Sequence, residues 1–266
     1  MLAVLVLGTF ILHTKQITMK LIKFLLSLLV ICLTSIAQAQ ETITFKAEDG
    51  IDITADLYLT HSDTTSFIVL FHQANWSRGE YLEIAPKLNA MGYNCMAVDQ
   101  RSGGAVNGIP NKTKKSAEKA MKGTQYIDAL ADMNAAIVHA KSMYAKGKLI
   151  IWGSSYSSAL VLKIAGDQPN VIDGALAFAP GEYFGRFGKP RDFITSSAKN
   201  ITKSVFITSA KSEKGNWWKI YEAISSENKH YFLPETSGNH GSRALWEKFN
   251  DSKEYWKAVK EFLEVI

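Results

Sequence analysis

The chain has 266 residues, 47% of them hydrophobic, which is ordinary for a globular protein. The formal net charge of +5 depends largely on three lysines in residues 1–39, and the remainder carries 27 basic and 25 acidic residues. No basic block with interleaved aromatic residues is present, so nucleic acid is excluded as an expected partner. The length allows one sizeable domain or two small ones.

The N-terminal 39 residues have the pattern of a secretory signal peptide. A short basic start at Met19–Lys23 precedes an apolar segment and a small-x-small cleavage site, Ala37-Gln38-Ala39. We expect translation to begin at Met19 and cleavage before Gln40, which would export the protein to the periplasm or the medium. The apolar segment is shorter than the ~20 residues of a membrane span, so an uncleaved anchor is the less favoured alternative.

Cleavage leaves residues 40–266, which we expect to form a single domain with no stable membrane span. Only two cysteines occur, and Cys32 would leave with the signal peptide. Cys95 is then unpaired within an apolar run, which predicts a protein without an internal disulfide.

The first part of this domain contains alternating and continuous apolar patterns. The alternating segments surround Asp49-Gly50 and predict a hairpin, and the continuous runs predict buried parallel strands. The predicted strands are 41–45, 51–59, 66–71 and 93–98, and the predicted helix is 81–90.

The second part alternates strand and helix patterns. Residues 102–122 are predicted to be a long loop, and residues 181–200 an irregular segment that covers the site. The predicted strands are 149–152, 171–180, 204–208 and 230–233, and the predicted helices are 126–144, the segment from Ser155 to Asp167, 217–224 and 243–265. This order implies a mostly parallel sheet of about eight strands with helices on both faces.

The most informative stretch runs from Leu149 to Leu160, where an apolar run stops at Gly153 and a serine follows two residues later. It predicts a strand, a sharp turn and a helix, with Ser155 exposed at the turn as a nucleophile. Residues two before and two after such a serine must be small, and Gly153 and Ser157 satisfy this. The alternative is an ordinary serine-rich turn.

In parallel sheets, sites form at the carboxyl ends of the strands, where several chemically capable residues follow the predicted strands. In this context the chain resembles the α/β-hydrolase fold, and most closely its small dienelactone hydrolase-like members. The resemblance covers nearly all of residues 40–266. The matching segments are His72-Gln73-Ala74, Gly79 to Gly92, Asp99-x-Arg101-x-Gly103, Gly153-x-Ser155-x-Ser157 and His240-Gly241.

The resemblance implies a catalytic triad in the chain order serine, acid, histidine. A serine hydroxyl needs a base within hydrogen-bond reach, and His240 lies where this fold has its histidine. The acid usually follows the strand predicted at 204–208, which favours Glu213. Glu182, after the preceding strand, is the alternative acid.

The resemblance also implies two backbone donors for the negative charge that develops on the substrate oxygen. We expect the N–H of Tyr156 and a second N–H from the loop after His72, at Gln73 or Ala74, with Gln73 as the choice. His72 is expected to be a structural or pocket residue. Asp99 and Arg101 are expected to form a buried salt bridge or turn rather than to act in catalysis.

The sequence therefore predicts an exported serine hydrolase that cleaves an ester or thioester of a small molecule without a cofactor or a metal. The alternatives are a peptidase or amidase with the same triad, and a non-catalytic binding protein of the same fold, in which Ser157 replaces the usual glycine and the acid loop lacks aspartate. The sequence does not predict the oligomeric state.

Overall fold

A computed structural model describes residues 19–20 and 40–266. The other residues of the predicted signal peptide, with its apolar segment and small-x-small motif, lie outside the described residues. Gln40–Ile266 form one compact unit. Of the described helices, none combines the length and the apolar character that a bilayer crossing requires.

Within residues 40–266 the central element is a mostly parallel sheet of eight strands. In chain order the strands are β1 (Glu41–Lys46), β2 (Asp52–Tyr58), β3 (Phe67–Phe71), β4 (Asn94–Val98), the small separate hairpin β5 (Ala105–Val106) and β6 (Ile109–Pro110), β7 (Leu149–Ser154), β8 (Gly174–Phe178), β9 (Ser204–Thr208) and β10 (Lys229–Phe232). Their order in the sheet is β1-β2-β4-β3-β7-β8-β9-β10. The pairs β1–β2 and β2–β4 are antiparallel, and all other neighbours in this sheet are parallel.

The helices connect these strands and cover both faces of the sheet. They are α1 (Ile84–Ala90), α2 (Lys112–Lys119), α3 (Ala129–Met143), α4 (Tyr156–Asp167), α5 (Phe193–Ala198), α6 (Lys214–Ala223) and α7 (Ser252–Leu263). Short 3-10 turns occur at Arg78–Tyr81, Tyr126–Asp128, Gly185–Phe187, Lys211–Glu213 and Ser242–Leu245. The predicted fold class, a mostly parallel sheet between two layers of helices, is confirmed.

The central strand β3 consists of five consecutive apolar residues, and the packing on its two faces explains this pattern. Phe67, Val69 and Phe71 pack in the core that contains α3 and α4, whereas Ile68 and Leu70 pack in the core that contains α1 and α7. Successive side chains of a strand point to opposite faces. A strand with a helical layer on each face must therefore be apolar at every position.

Three predicted segments differ from the structure. The predicted irregular segment 181–200 contains the 3-10 turn Gly185–Phe187 and the helix α5. The predicted loop 102–122 contains the β5–β6 hairpin and α2, which begins at the Asn111 side chain that accepts a hydrogen bond from Lys114 N at 2.8 Å. Only Thr113 and Ala117 of this lysine-rich helix are buried, so it carries almost no apolar periodicity. The predicted helix 243–265 is interrupted after the 3-10 turn, because Trp246 adopts an extended conformation.

The polar residues after β4 are buried in three ion pairs. Asp99 pairs with Arg78 at 2.8 Å, and Arg101 pairs with Asp132 at 2.7 Å and with Asp49 at 2.6 Å. The prediction of buried salt bridges is right for both residues, but the pairing of Asp99 with Arg101 is wrong. Although Asp99 and Arg101 are only two residues apart, each pairs with a residue far away in the sequence.

Candidate active site

The turn between β7 and α4 holds Ser155 in a strained conformation. Its backbone has φ 59° and ψ −125°, and its N–H donates to the Phe178 carbonyl at 2.7 Å. A Cβ atom added to Gly153 would lie 2.5 Å from the Ser157 carbonyl oxygen. The strand and the helix therefore approach so closely that position 153 excludes any side chain, and the turn exposes Ser155 at the edge of the sheet.

Ser157 is compatible with this turn because its hydroxyl forms hydrogen bonds with the backbone of the neighbouring strand. Ser157 Oγ lies 2.7 Å from the His72 carbonyl oxygen and 2.9 Å from that of Phe71. It is fully buried and connects the first turn of α4 to the end of β3. A serine at this position therefore stabilises the same strand–helix contact that a glycine would permit.

Three side chains from separate loops form a chain of hydrogen bonds at this edge. His240 Nε2 lies 2.8 Å from Ser155 Oγ, and His240 Nδ1 lies 2.5 Å from Glu213 Oε1. Glu213 ends the 3-10 turn after β9, and its second oxygen accepts a hydrogen bond from Ala210 N at 3.1 Å. The side chains of His240 and Glu213 are 30% and 22% exposed, so the group is open to solvent at one side.

Glu182 has a different environment. Its carboxylate accepts hydrogen bonds from Ile194 N at 2.9 Å, from Thr195 N at 2.8 Å and from the Thr195 hydroxyl at 2.8 Å. These donors belong to the first turn of α5, whose N–H groups have no partner within the helix. The expectation of Glu182 as an alternative acid is therefore wrong, because this carboxylate stabilises the helix that follows it.

The loop after β3 requires one correction. Gln73 N–H donates to the Glu80 carboxylate at 2.8 Å, so it is not free to bind a substrate oxygen, and the choice of Gln73 as second donor is wrong. The next N–H, that of Ala74, donates to no acceptor among residues 40–266. The Tyr156 N–H is the first of α4 and has no intrahelical acceptor.

His72 is structural and does not line a pocket, since its side chain is fully buried. Its Nε2 accepts a hydrogen bond from Gln100 N at 2.9 Å, which assigns the ring proton to Nδ1, and Nδ1 donates to the Gln73 carbonyl at 2.7 Å. Burial lowers the pKa of His72 to about 4. The neutral ring therefore fixes the loop that carries Ala74.

Two residues that the sequence analysis did not assign also belong to this region. The Tyr183 hydroxyl donates to the Ala179 carbonyl at 2.7 Å. Burial, and after it the charge of Glu213, raise the pKa of the Tyr183 hydroxyl. The second residue is Glu80, whose carboxylate is fully buried. Glu80 lies in the segment Gly79 to Gly92 that carries the resemblance and Tyr183 lies in none of the matching segments, but the sequence assigns no role to either side chain.

No metal-binding arrangement is present in the described part of the chain, where no three His, Cys, Asp or Glu side chains converge suitably. The groups that meet at Ser155 are a hydroxyl, an imidazole and a carboxylate, and the N–H of Tyr156, the first residue of α4, follows directly in the chain. Such a set can transfer an acyl group through a covalent intermediate.

Comparison of the fold with solved structures shows the same architecture. The chain resembles the Pyrococcus furiosus esterase with 16% identity over 87% of this chain and 94% of the other, at a TM-score of 0.66. It resembles the Anabaena variabilis dienelactone hydrolase with 10% identity over 85% and 97%, also at 0.66. The Butyrivibrio proteoclasticus Est1E, solved with ferulic acid, has 13% identity over 83% and 97%, at 0.64.

Sequence comparison gives the family. No curated protein matches the chain at a significant level. A family model described as serine aminopeptidase, S33, matches residues 62–229, which is more than half of the chain. This segment extends from the turn before β3 to the start of β10 and includes Ser155 and Glu213. The chain therefore belongs to the S33 serine aminopeptidase family of α/β hydrolases.

Proposed function

We propose that this protein is a serine hydrolase that cleaves an ester of a small molecule. The observation that supports the proposal most strongly is the continuous chain of hydrogen bonds from Ser155 through His240 to Glu213. These contacts provide the three roles that acyl transfer requires, which are a nucleophile, a base and a group that orients the base.

In the proposed mechanism, Ser155 Oγ attacks the carbonyl carbon while His240 Nε2 takes its proton. Glu213 stabilises the imidazolium ion that forms. The Tyr156 and Ala74 N–H groups donate to the oxygen that becomes negative. The C–O bond of the ester then breaks, and the alcohol leaves with the proton from His240. A water molecule, deprotonated by His240, then attacks the acyl carbon. The bond from this carbon to Ser155 Oγ breaks, the acid leaves, and His240 returns the proton to Ser155 Oγ.

The family description raises an aminopeptidase as a second candidate. An aminopeptidase must bind the α-ammonium group of its substrate, for which an unoccupied carboxylate is the strongest protein ligand. The carboxylates around Ser155 are already engaged, since Glu182 accepts three hydrogen bonds and Glu80 two, and Glu213 holds His240. This supports a neutral ester as the substrate. The predicted signal peptide supports action outside the cytoplasm.

A substrate panel tests this proposal. We expect the protein of residues 40–266 to hydrolyse p-nitrophenyl esters of short acids with a kcat/KM at least about 10²-fold above that for aminoacyl p-nitroanilides, because the alcohol leaving group needs less protonation than an amine. The esters and the anilides release chromophores that are read in the same assay. Faster cleavage of the anilides would contradict the ester proposal and favour the aminopeptidase. A folded protein that cleaves neither would favour a binding protein.

A further inference from the structure

The Glu80 carboxylate lies at the centre of the loops that surround Ser155. It belongs to the 3-10 turn Arg78–Tyr81, between β3 and α1, and its side chain is completely buried. A buried carboxylate is costly unless every oxygen accepts hydrogen bonds, so its contacts show what it holds in place.

Both carboxylate oxygens accept hydrogen bonds from the machinery around Ser155. Glu80 Oε2 accepts from Gln73 N–H at 2.8 Å, one residue before the proposed donor Ala74. Glu80 Oε1 accepts from the hydroxyl of Ser154 at 2.7 Å, one residue before Ser155.

The Ser154 hydroxyl extends this network to the third loop. Ser154 Oγ accepts a hydrogen bond from Ser242 N at 2.8 Å, two residues after His240. A single carboxylate therefore connects, directly or through one hydroxyl, the segments that carry the oxyanion donor, the nucleophile and the base.

The packing at Gly241 leaves no room for these groups to shift independently. A Cβ atom there would lie 2.5 Å from Ser154 Oγ and 2.9 Å from Gln73 Oε1, and Gly241 has φ 72°. The residue next to His240 therefore contacts both segments that Glu80 holds. A displacement of Ser154 or of the Gln73 side chain would therefore disturb its packing against the His240 loop.

Both hydrogen bonds that Glu80 accepts are stronger when its carboxylate is ionised. A proton on either oxygen adds a donor there and weakens or reverses the hydrogen bond that this oxygen now accepts. Burial raises the pKa of Glu80 from its ordinary value of 4.5 to about 7. The hydrogen bonds from Ser154 and Gln73 and the charges of His240 and Arg243 act in the opposite direction. The other titratable groups that face it are the hydroxyls of Tyr81 and Tyr156.

We propose that Glu80 is a positioning residue, whose ionised carboxylate holds the Ala74 and His240 loops in the geometry that the Ser155 reaction needs. The proposal rests on the proposed function of Ser155. Its consequence is that protonation of Glu80 itself lowers the activity as the pH falls.

Glu80→Gln tests this, with Glu83→Gln as the matched control because Glu83 is exposed three residues away. Glutamine has the same size but cannot accept at both positions. The probe is a small fluorophosphonate, whose P–F bond breaks as Ser155 Oγ bonds to phosphorus. We expect Glu80→Gln to lower the labelling rate constant at neutral to alkaline pH by about 10²-fold, the loss typical of a misplaced catalytic group.

The pH profile distinguishes positioning from a general loss of structure. We expect the acid-side fall of the labelling rate to involve one proton fewer in Glu80→Gln than in the wild type and in Glu83→Gln. For ester hydrolysis, kcat should fall while KM changes by less than about threefold, because the substrate contacts remain. Glu80→Asp, which restores an ionisable group, should return the pH profile of the wild type.

Thermal unfolding checks that Glu80→Gln is folded. Because the pKa of Glu80 is raised in the folded protein, the folded state binds the proton more tightly between pH 4.5 and about 7, and the wild type loses stability as the pH rises through this range. Glutamine does not ionise, so the Glu80→Gln variant does not lose this stability. The melting temperature of Glu80→Gln minus that of the wild type should therefore increase with pH.

The results separate the two proposals. A wild type that is folded but not labelled at Ser155 would overturn the proposed function and, with it, the role of Glu80. A labelled wild type whose rate and pH profile are shared by Glu80→Gln would overturn the role of Glu80 alone. If Glu80→Gln is unstable, Ser154→Ala serves in its place, since it removes the connection to Ser242 N, and an unchanged labelling rate would again overturn the proposal.

Discussion

We expect the Ser155→Ala variant to lose at least about 10⁴-fold of its kcat for ester hydrolysis, because removal of the nucleophile disables the whole triad at once. Its free energy of unfolding should stay within about 1 kcal/mol of the wild type, since the side chain is small and alanine meets the same strain at φ 59°. The measurements are initial rates with an activated ester and urea unfolding followed by circular dichroism.

Ser158→Ala is the matched control for this variant. Ser158 lies in the same turn, and its hydroxyl donates to the Ser155 carbonyl at 2.5 Å without contacting His240. We expect its kcat to change by less than about tenfold, because only a backbone contact in α4 is lost. Retention of activity by Ser155→Ala, or an equal loss in both variants, would contradict the assignment of Ser155.

The second large effect concerns the acid. We expect Glu213→Gln to lower kcat by about 10³- to 10⁴-fold, since an amide cannot stabilise the imidazolium ion that forms on His240. The geometry of the contact should persist, because the 3-10 turn Lys211–Glu213 and the size of the side chain are unchanged. Steady-state kinetics with the same ester give the comparison, and KM should change little.

Glu182→Gln is the corresponding control at the alternative acid. This carboxylate accepts from the first turn of α5, so its replacement should reduce stability by about 1 kcal/mol and kcat by less than about tenfold. A loss in Glu182→Gln that matches or exceeds that in Glu213→Gln would reverse the proposed roles of the two residues.

The sequence predicts those features of the fold that depend on the packing of neighbouring residues in the chain. The small residues Gly153 and Ser157 around Ser155 reflect the close approach of β7 and α4, and any sequence that forms this turn must contain them. The continuous apolar run of β3 reflects a strand covered on both faces. The fold class depends on such patterns, and the structure confirms it.

The features that sequence could not predict depend on partners far away in the chain. The prediction of Gln73 as an oxyanion donor is wrong because its N–H donates to Glu80. The sequence around Gln73 and around Glu80 does not indicate this contact. Asp99 pairs with Arg78 rather than with Arg101 for the same reason. The helix α2 was missed because it buries only two residues, so its lysines resemble a loop.

Glu213, the acid of the proposed triad, could be predicted only in part from the sequence. The resemblance favours Glu213 after β9, although this loop lacks the aspartate that the fold usually has there. The 3-10 turn Lys211–Glu213 brings the side chain back toward His240, and Ala210 N holds its second oxygen. The longer glutamate side chain thus reaches the imidazole from a position that local sequence alone would not identify.

The central claim is that Ser155 is an activated nucleophile. Mass spectrometry of the folded protein after treatment with a small fluorophosphonate, with the adduct mapped to a residue, tests it most directly. We predict one adduct, on Ser155, that is lost when His240 is replaced by alanine, because the serine then lacks its base. A folded sample that carries no adduct on Ser155, or that carries it equally without His240, would contradict the claim.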